Sequence, residues 1–310
     1  MRTFISCLPS QIFQWAGSLA RIGRKPPKLY NKLVIDWDSF KLFLEGTYQK
    51  NWAKQMYQYA KKYFYMLNNP IELQTFSKWK KANVMKALVT LSKYLGIYEE
   101  FKYRLKSYGI KWSRTNSIEA FLRMLNGCNN NILEWYGKAS QVLRSNERLY
   151  LKFVLLSGLR RSEAINSFNL VIKLHKENNL NNYYNQELSA LEHFRYGELF
   201  LRKTKNCYIT FTPFSLIEEI AHSKPITYAM IRKKLQRRKI PTRINELRDY
   251  YATFMVRHGL IKEEVNLLQG RVAPDVFTRY YWSPSFKDLR NRTLQAVREL
   301  EQQLNSSLSL

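Results

Sequence analysis

The stretch Ser157-Gly158-Leu159-Arg160-Arg161-Ser162-Glu163 lies between two segments with helical spacing of apolar residues. That spacing precedes the stretch over residues 149–156 and resumes after Ser162. Gly158 is the kind of residue at which a helix ends, because glycine adopts the left-handed backbone at low cost. The stretch therefore predicts two helices joined at a turn that carries a pair of arginines.

Helical spacing also dominates the chain on both sides of this turn. It predicts helices over about residues 36–46, 52–64, 84–95, 98–105, 118–125 and 132–142, and again from Pro213 to the end. Period-two patterns over residues 198–202 and 208–212 predict two strands of a β-hairpin, with residues 203–206 as the turn. The predicted fold class is mainly α, with a helical first domain and a mostly helical second domain that contains the hairpin.

Three segments follow from composition. Residues 1–30 are basic and interrupted by proline and glycine, which predicts an N-terminal arm. Residues 31–112 form the helical first domain, and residues 117–310 form the second. A short polar and basic stretch between them is the predicted linker.

The charge of the chain points to a polyanionic partner. Its 310 residues contain 51 Lys and Arg against 24 Asp and Glu, a formal net charge of +27. Residues 1–115 have 21 basic and 6 acidic side chains, and the remainder has 30 and 18, so both domains are basic. With 45% hydrophobic residues the chain can build cores, which excludes a disordered basic tail. Nucleic acid is the first expectation for the partner.

Other classes of protein are disfavoured. No apolar run approaches the ~18 residues that span a bilayer, so no membrane association is expected. The three cysteines are far apart and suit neither a disulfide framework nor a metal site. We expect a reducing, cytoplasmic compartment.

Two further stretches complete a set of groups suited to cutting DNA without a metal. They are residues 245–248, Asn-Glu-Leu-Arg, and residues 268–281, which begin Leu-Gln-Gly-Arg and end Thr-Arg-Tyr-Tyr. Two guanidinium groups can bind a phosphodiester bidentately and stabilise its transition state. A tyrosine hydroxyl can attack the phosphorus, and a lysine can protonate the leaving oxygen.

These stretches, in this order, resemble the tyrosine recombinase (integrase) family, and residues 268–281 are most similar to integrases of archaeal viruses and plasmids. The resemblance implies that Arg160 and Arg248 bind the scissile phosphate and that Tyr281 is the nucleophile. It also implies that Lys205, on the predicted hairpin turn, is the general acid. Tyr280 and Lys203 remain the alternatives for the nucleophile and the acid.

Three further positions have supporting roles by the same resemblance. Glu163 would orient Arg160, although a glutamate in the first turn of a helix needs no such role. Arg271 stands where the family often has a histidine and could donate to the phosphate. Asn245 stands where histidine or lysine is usual, and its amide can form hydrogen bonds but cannot transfer a proton.

The resemblance further implies a helical DNA core-binding domain, a catalytic domain and a 3′-phosphotyrosine intermediate, with no metal or cofactor. The partner would be double-stranded DNA at attachment sites, bound by a homotetramer that integrates or excises a mobile element in the nucleoid of the host cell. A topoisomerase-like relaxing enzyme and an accessory protein that has lost catalysis are the alternative functions.

A basic cluster precedes the second arginine motif. Such a cluster is often only a solvated face, but its position favours contact with DNA phosphates. Its members are Arg232, Lys233, Lys234, Arg237, Arg238 and Lys239.

Overall fold

The computed structural model describes residues 34–112, 117–125, 131–202, 205–272 and 276–308. These residues fall into two compact units that divide between Leu122 and Arg123. Helices dominate both units, which confirms the mainly α fold class. Within the described ranges, no helix combines the length and the apolar composition that crossing a membrane requires. The predicted arm, residues 1–30, lies outside them.

The first unit is a helical bundle. Its α1 begins after Asp36, whose Oδ1 accepts a hydrogen bond from the Ser39 backbone N–H at 3.0 Å. Phe40, Leu88 and Phe101 are fully buried in the core. The helices are α1 Trp37–Thr47, α2 Lys50–Tyr63, α3 Lys78–Tyr94 and α4 Tyr98–Ser107, with 3₁₀ turns at Phe64–Leu67 and Pro70–Gln74. The division between the units falls inside α5 Ser117–Leu125.

The second unit packs helices and a small sheet around one core. Phe153 and Leu155, from a helix in its centre, are fully buried, and so are Val297 and Leu300 of the last helix. The last helix therefore packs on its own unit. The helices are α6 Ile132–Val142, α7 Ser145–Ser157, α8 Arg161–Lys176, α9 Gly197–Phe200, α10 Phe214–Ala221, α11 Tyr228–Arg237, α12 Ile244–Arg257, α13 Lys262–Leu268 and α14 Phe286–Leu308, with 3₁₀ turns at Leu180–Asn182 and His193–Tyr196.

The position predicted for the hairpin is partly wrong. Residues 198–202 do not form a strand: α9 occupies Gly197–Phe200, and the Leu201 N–H donates to the Gly197 carbonyl at 2.7 Å. The apolar residues here are three in a row, Leu199, Phe200 and Leu201, and they fit a helical turn as well as a strand when only Phe200 has to be buried. The antiparallel sheet has the order β1-β2-β3, with β1 Tyr184–Asn185, β2 Ala190–Leu191 and β3 Thr210–Phe211. The hairpin is β1–β2, and only β3 lies inside a predicted strand.

A buried histidine, His193, connects β3 of this sheet to Tyr183, the residue just before β1. The imidazole of His193 forms hydrogen bonds with the Tyr183 hydroxyl at 2.7 Å and the Thr210 hydroxyl at 2.8 Å. Burial lowers the pKa of His193 to about 3, so the folded protein keeps this ring neutral.

This histidine makes the fold sensitive to acid. In the unfolded chain its pKa is about 6.5, so the stability it contributes is complete above that pH and is lost as the pH falls toward 3. Between pH 7.5 and 5.0 we expect His193→Gln to lose about 2 kcal/mol less unfolding free energy than the wild type. Urea denaturation at both pH values measures the difference. The exposed His222, changed to Gln, is the control, and equal pH dependence in all three proteins would contradict the expectation.

Candidate active site

Arg248 connects the three sequence motifs. It lies on α12 and is only 6% exposed. Its Nη1 donates to the Gly158 carbonyl at 2.7 Å, and its Nη2 donates to the Gln269 carbonyl at 2.8 Å. The Gln269 side chain returns a hydrogen bond from Nε2 to the Arg248 carbonyl at 3.1 Å. One buried guanidinium thus binds the backbone of both other motifs.

The turn at Gly158 has the backbone that its sequence predicts. Gly158 ends α7 with φ of +62°. A Cβ at this position would lie 2.3 Å from the ring of Tyr251, one helical turn beyond Arg248. The missing side chain therefore lets the α7–α8 turn pack directly on α12, which places Arg160 and Arg248 in the same region.

Glu163 binds two arginines. This carboxylate is 1% exposed, and its Oε1 accepts from Arg160 Nη1 at 2.7 Å and from Arg202 Nη2 at 3.0 Å. Its Oε2 accepts from the Arg160 backbone N–H at 3.0 Å, which caps α8. The Arg160 side chain is therefore held by Glu163 and remains 22% exposed to solvent.

A second glycine brings the segment around Lys205 against the third motif. Gly270 has φ of +66°, and a Cβ there would lie 1.8 Å from the Asn206 carbonyl oxygen. The same oxygen accepts a hydrogen bond from Arg160 Nη1 at 3.1 Å. The peptide that joins Asn206 to Cys207 is thus confined between Arg160 and Gly270.

The electrostatics of this cluster favour an anion. Burial, followed by the neighbouring Arg160 cation, lowers the pKa of Arg248 to about 10, against an opposing effect of Glu163. Arg271 also lowers the pKa of Arg248. Even so, Arg248 is cationic at pH 7. The cluster holds four guanidinium groups, those of Arg160, Arg202, Arg248 and Arg271, against the one Glu163 carboxylate. This leaves excess positive charge, which a phosphate would relieve.

Burial also raises the pKa of the Cys207 thiol, and the Glu163 carboxylate adds to this effect. The thiol therefore stays neutral beside the arginines and adds no charge to the cluster.

The remaining predicted site residues lie at the surface. Lys205, Asn245 and Arg271 are exposed. The Arg271 backbone N–H donates to the Asn266 carbonyl at 2.7 Å, which closes the turn after α13. Lys203, the alternative acid, lies outside the described residues.

Both candidate nucleophiles are exposed. Tyr280 and Tyr281 lie in a π-helical turn, Phe277–Tyr281, and are 76% and 74% exposed. In the described part of the chain, no hydrogen bond joins the Tyr281 hydroxyl to Arg160 or Arg248. Burial does not distinguish the two tyrosines, so the choice between them stays a prediction.

One member of the basic cluster has an intramolecular partner. Lys234 Nζ lies 2.6 Å from both oxygens of Glu147, a residue with no solvent exposure. The other members are exposed: Arg232, Lys233, Arg237, Arg238 and Lys239. Lys234 therefore differs from them, because a buried carboxylate already neutralises its charge.

Sequence reasoning did not single out Arg202, Asn206 or Gln269. Gln269 lies inside the third motif, but it binds Arg248 through its backbone carbonyl, and any residue type has such a carbonyl. Arg202 and Asn206 adjoin the predicted lysines, yet an arginine and an asparagine near a turn are ordinary. Their roles depend on partners about 40 residues away along the chain.

A mostly helical unit with clustered arginines and exposed tyrosines defines a protein suited to bind and process phosphodiesters. A family model described as archaeal phage integrase matches residues 127–287, just over half of the chain. The chain belongs to this family, which confirms the resemblance seen in its motifs. It is accordingly a DNA-binding recombinase of the integrase kind. No curated protein and no solved structure gave a significant match.

Proposed function

We propose that this integrase is a site-specific tyrosine recombinase that cuts and rejoins DNA through a 3′-phosphotyrosine intermediate. The observation that supports this most is that buried Arg248 and partly buried Arg160 lie in the same region around the Gly158 turn. Glu163 binds Arg160, whereas Arg248 donates to backbone carbonyls, so no carboxylate is paired with its charge in the described contacts. Two such guanidinium groups in one region form a site complementary to a phosphodiester and its more negative transition state.

In the cleavage step, the Tyr281 oxygen forms a bond to phosphorus as the bond from phosphorus to the 5′ oxygen breaks. The tyrosine proton passes to solvent water, and Lys205 donates a proton to the 5′ oxygen, which leaves as a hydroxyl. Arg160 and Arg248 bind the non-bridging oxygens, and Arg271 adds a further donor. Asn245 contributes a hydrogen bond at most.

Rejoining is the same step in reverse, with the 5′-hydroxyl of a partner strand as the attacking group. Because the phosphotyrosine ester conserves the bond energy of the phosphodiester that was cut, the reaction needs no external energy source. We propose that four protomers act on two attachment sites in nucleoid DNA, with the first unit as the core-binding domain and the second as the catalytic domain. The result would be integration or excision of a mobile element.

A suicide substrate tests the chemistry. In this duplex, one strand has a nick a short distance to the 3′ side of the scissile phosphate. Cleavage then releases the short strand that carries the 5′-hydroxyl, and because this strand diffuses away, cleavage cannot reverse. The wild type should accumulate a covalent protein–DNA adduct on DNA that contains an attachment site. Tight DNA binding without any adduct would contradict the proposal and leave the accessory protein.

A second assay separates recombinase from topoisomerase. Two labelled duplexes, each with an attachment site, should exchange strands in the presence of the wild type and form a complex that contains four protomers. Relaxation of supercoiled plasmid by a monomer, without exchange, would instead identify a relaxing enzyme. Mass photometry of the complex measures the number of protomers.

The basic cluster gives a prediction on salt dependence. We expect Arg237→Gln and Arg238→Gln each to reduce the slope of log affinity against log salt by about 1, because each would release one phosphate contact. Lys234→Gln should leave the slope unchanged and destabilise the fold by about 3 kcal/mol, because it leaves the Glu147 carboxylate buried without its partner. Fluorescence anisotropy across a salt series and urea denaturation measure the two effects. An unchanged slope in both arginine variants would exclude this face from DNA binding.

A further inference from the structure

Asn206 makes more connections around the arginine cluster than its sequence position indicates. Its side-chain Oδ1 accepts from the Arg202 backbone N–H at 2.8 Å, and its Nδ2 donates to the Tyr208 hydroxyl at 3.0 Å. The first bond holds together the two ends of the segment that contains Lys205. The second anchors that segment to the residue that leads into β3.

The backbone of Asn206 is fixed independently of its side chain. Its carbonyl accepts from Arg160 Nη1 and lies against Gly270, as described above. The neighbouring Arg202 is fixed as well, since its Nη2 shares the Glu163 Oε1 atom with Arg160. Asn206 therefore joins the segment around Lys205 to the same buried carboxylate and arginine that form the candidate phosphate site.

Among the residues that the structure describes, none holds the Lys205 side chain in a comparable way. That side chain is exposed, and the Lys205 backbone is attached directly to that of Asn206. A long, flexible ammonium side chain reaches one particular oxygen only as reliably as its Cα is placed. The position of Lys205 relative to Arg160 is thus set through Asn206.

We propose that Asn206 is a positioning residue for the Lys205 ammonium, and that the Asn206 side chain fixes the position of this general acid relative to Arg160 and Arg248. This inference rests on the proposed function, in which Lys205 protonates the leaving 5′ oxygen. It adds a residue that contacts neither the DNA nor the reacting atoms. An acid displaced by about 1 Å would transfer its proton poorly, while the phosphate would remain bound by Arg160 and Arg248.

The leaving group provides a test that a general structural role would not satisfy. In DNA with a bridging 5′-phosphorothiolate, the leaving atom is sulfur, which departs as a thiolate and needs no proton. We expect Asn206→Ala, which keeps the backbone carbonyl bound by Arg160, to slow single-turnover cleavage of ordinary DNA by about 10- to 100-fold. On the phosphorothiolate its rate should return to within a few-fold of the wild type.

Three further variants make the result specific. Tyr208→Phe removes only the hydroxyl that accepts from Asn206, and it should show a smaller defect with the same rescue. Lys205→Met should be rescued fully, and Arg160→Gln should be slow on both substrates because it weakens phosphate binding itself. Unfolding midpoints of all variants, measured in parallel, identify any loss of folded protein, and Tyr208→Phe carries the test if Asn206→Ala is unfolded.

The outcomes separate the inference from the proposed function. If Lys205→Met is rescued but Asn206→Ala and Tyr208→Phe are equally slow on both substrates, the positioning role is wrong and the general acid stands. If Lys205→Met is not rescued, the assignment of Lys205 is wrong, and the inference falls with it. Absence of an adduct with the wild type would overturn the proposed chemistry as a whole.

Discussion

Replacement of Tyr281 by phenylalanine is expected to abolish the covalent adduct on a suicide substrate, a loss of at least about 10³-fold. Phenylalanine keeps the ring and removes only the oxygen that would form the bond to phosphorus. Because the side chain is 74% exposed, its hydroxyl contributes little to folding, and the unfolding midpoint should not change. Denaturing gel electrophoresis of the adduct measures the loss, and DNA affinity should stay within a few-fold of the wild type.

The adjacent tyrosine is the matched control. Tyr280 is 76% exposed in the same π-helical turn, so Tyr280→Phe changes an equivalent surface by one oxygen atom. We expect it to retain adduct formation within a few-fold. The reverse pattern would make Tyr280 the nucleophile, and an adduct in the double variant would exclude both.

Gly270→Ala is expected to have the second largest effect, because a Cβ would lie 1.8 Å from the Asn206 carbonyl oxygen. The backbone of one segment must then move by roughly 1 Å or more, and such a displacement near reacting groups costs on the order of 10²-fold in rate. The φ of +66° adds strain for any side chain. Together, strain and overlap should reduce the free energy of unfolding by about 2–5 kcal/mol.

Gly259→Ala separates the overlap from the strain. Gly259 has φ of +87° in the same unit, but nothing lies within 4 Å of a Cβ built there. This variant should lose only about 1–2 kcal/mol and keep wild-type cleavage. Urea denaturation and single-turnover cleavage at a temperature where both variants are folded provide the comparison. Equal behaviour of the two alanine variants would show that the contact between Gly270 and Asn206 does not matter for the site.

The helices were predictable because their signals are local. The Asp36 cap and the apolar spacing after it place α1, and the same spacing gives α6 the bounds observed, Ile132–Val142. The position of the hairpin was not predictable, since the short apolar run in residues 198–202 suits either a strand or a helical turn. Strand pairing determined where the sheet lies: β3 pairs with β2, and the paired residues are about 20 positions apart along the chain.

In the candidate site, too, local motifs revealed some residues and only long-range contacts revealed others. Arg160 and Arg248 were proposed from motifs in a fixed order, and the family match confirms the family to which those motifs pointed. No local pattern marked Asn206, and its proposed role rests on contacts with Arg160 and Gly270 that only the folded chain makes. The basic cluster was identified as a unit, yet Lys234 proved to be bound to buried Glu147, 87 residues earlier.

The sequence by itself therefore determined the helical character, the excess of positive charge and the family, because composition, periodicity and short motifs carry these properties. Only the tertiary structure decided which charges are free to meet DNA and which are neutralised inside the protein. It also decided how closely two backbones approach at Gly270. Such properties depend on distances between residues that are remote along the chain, and packing sets those distances.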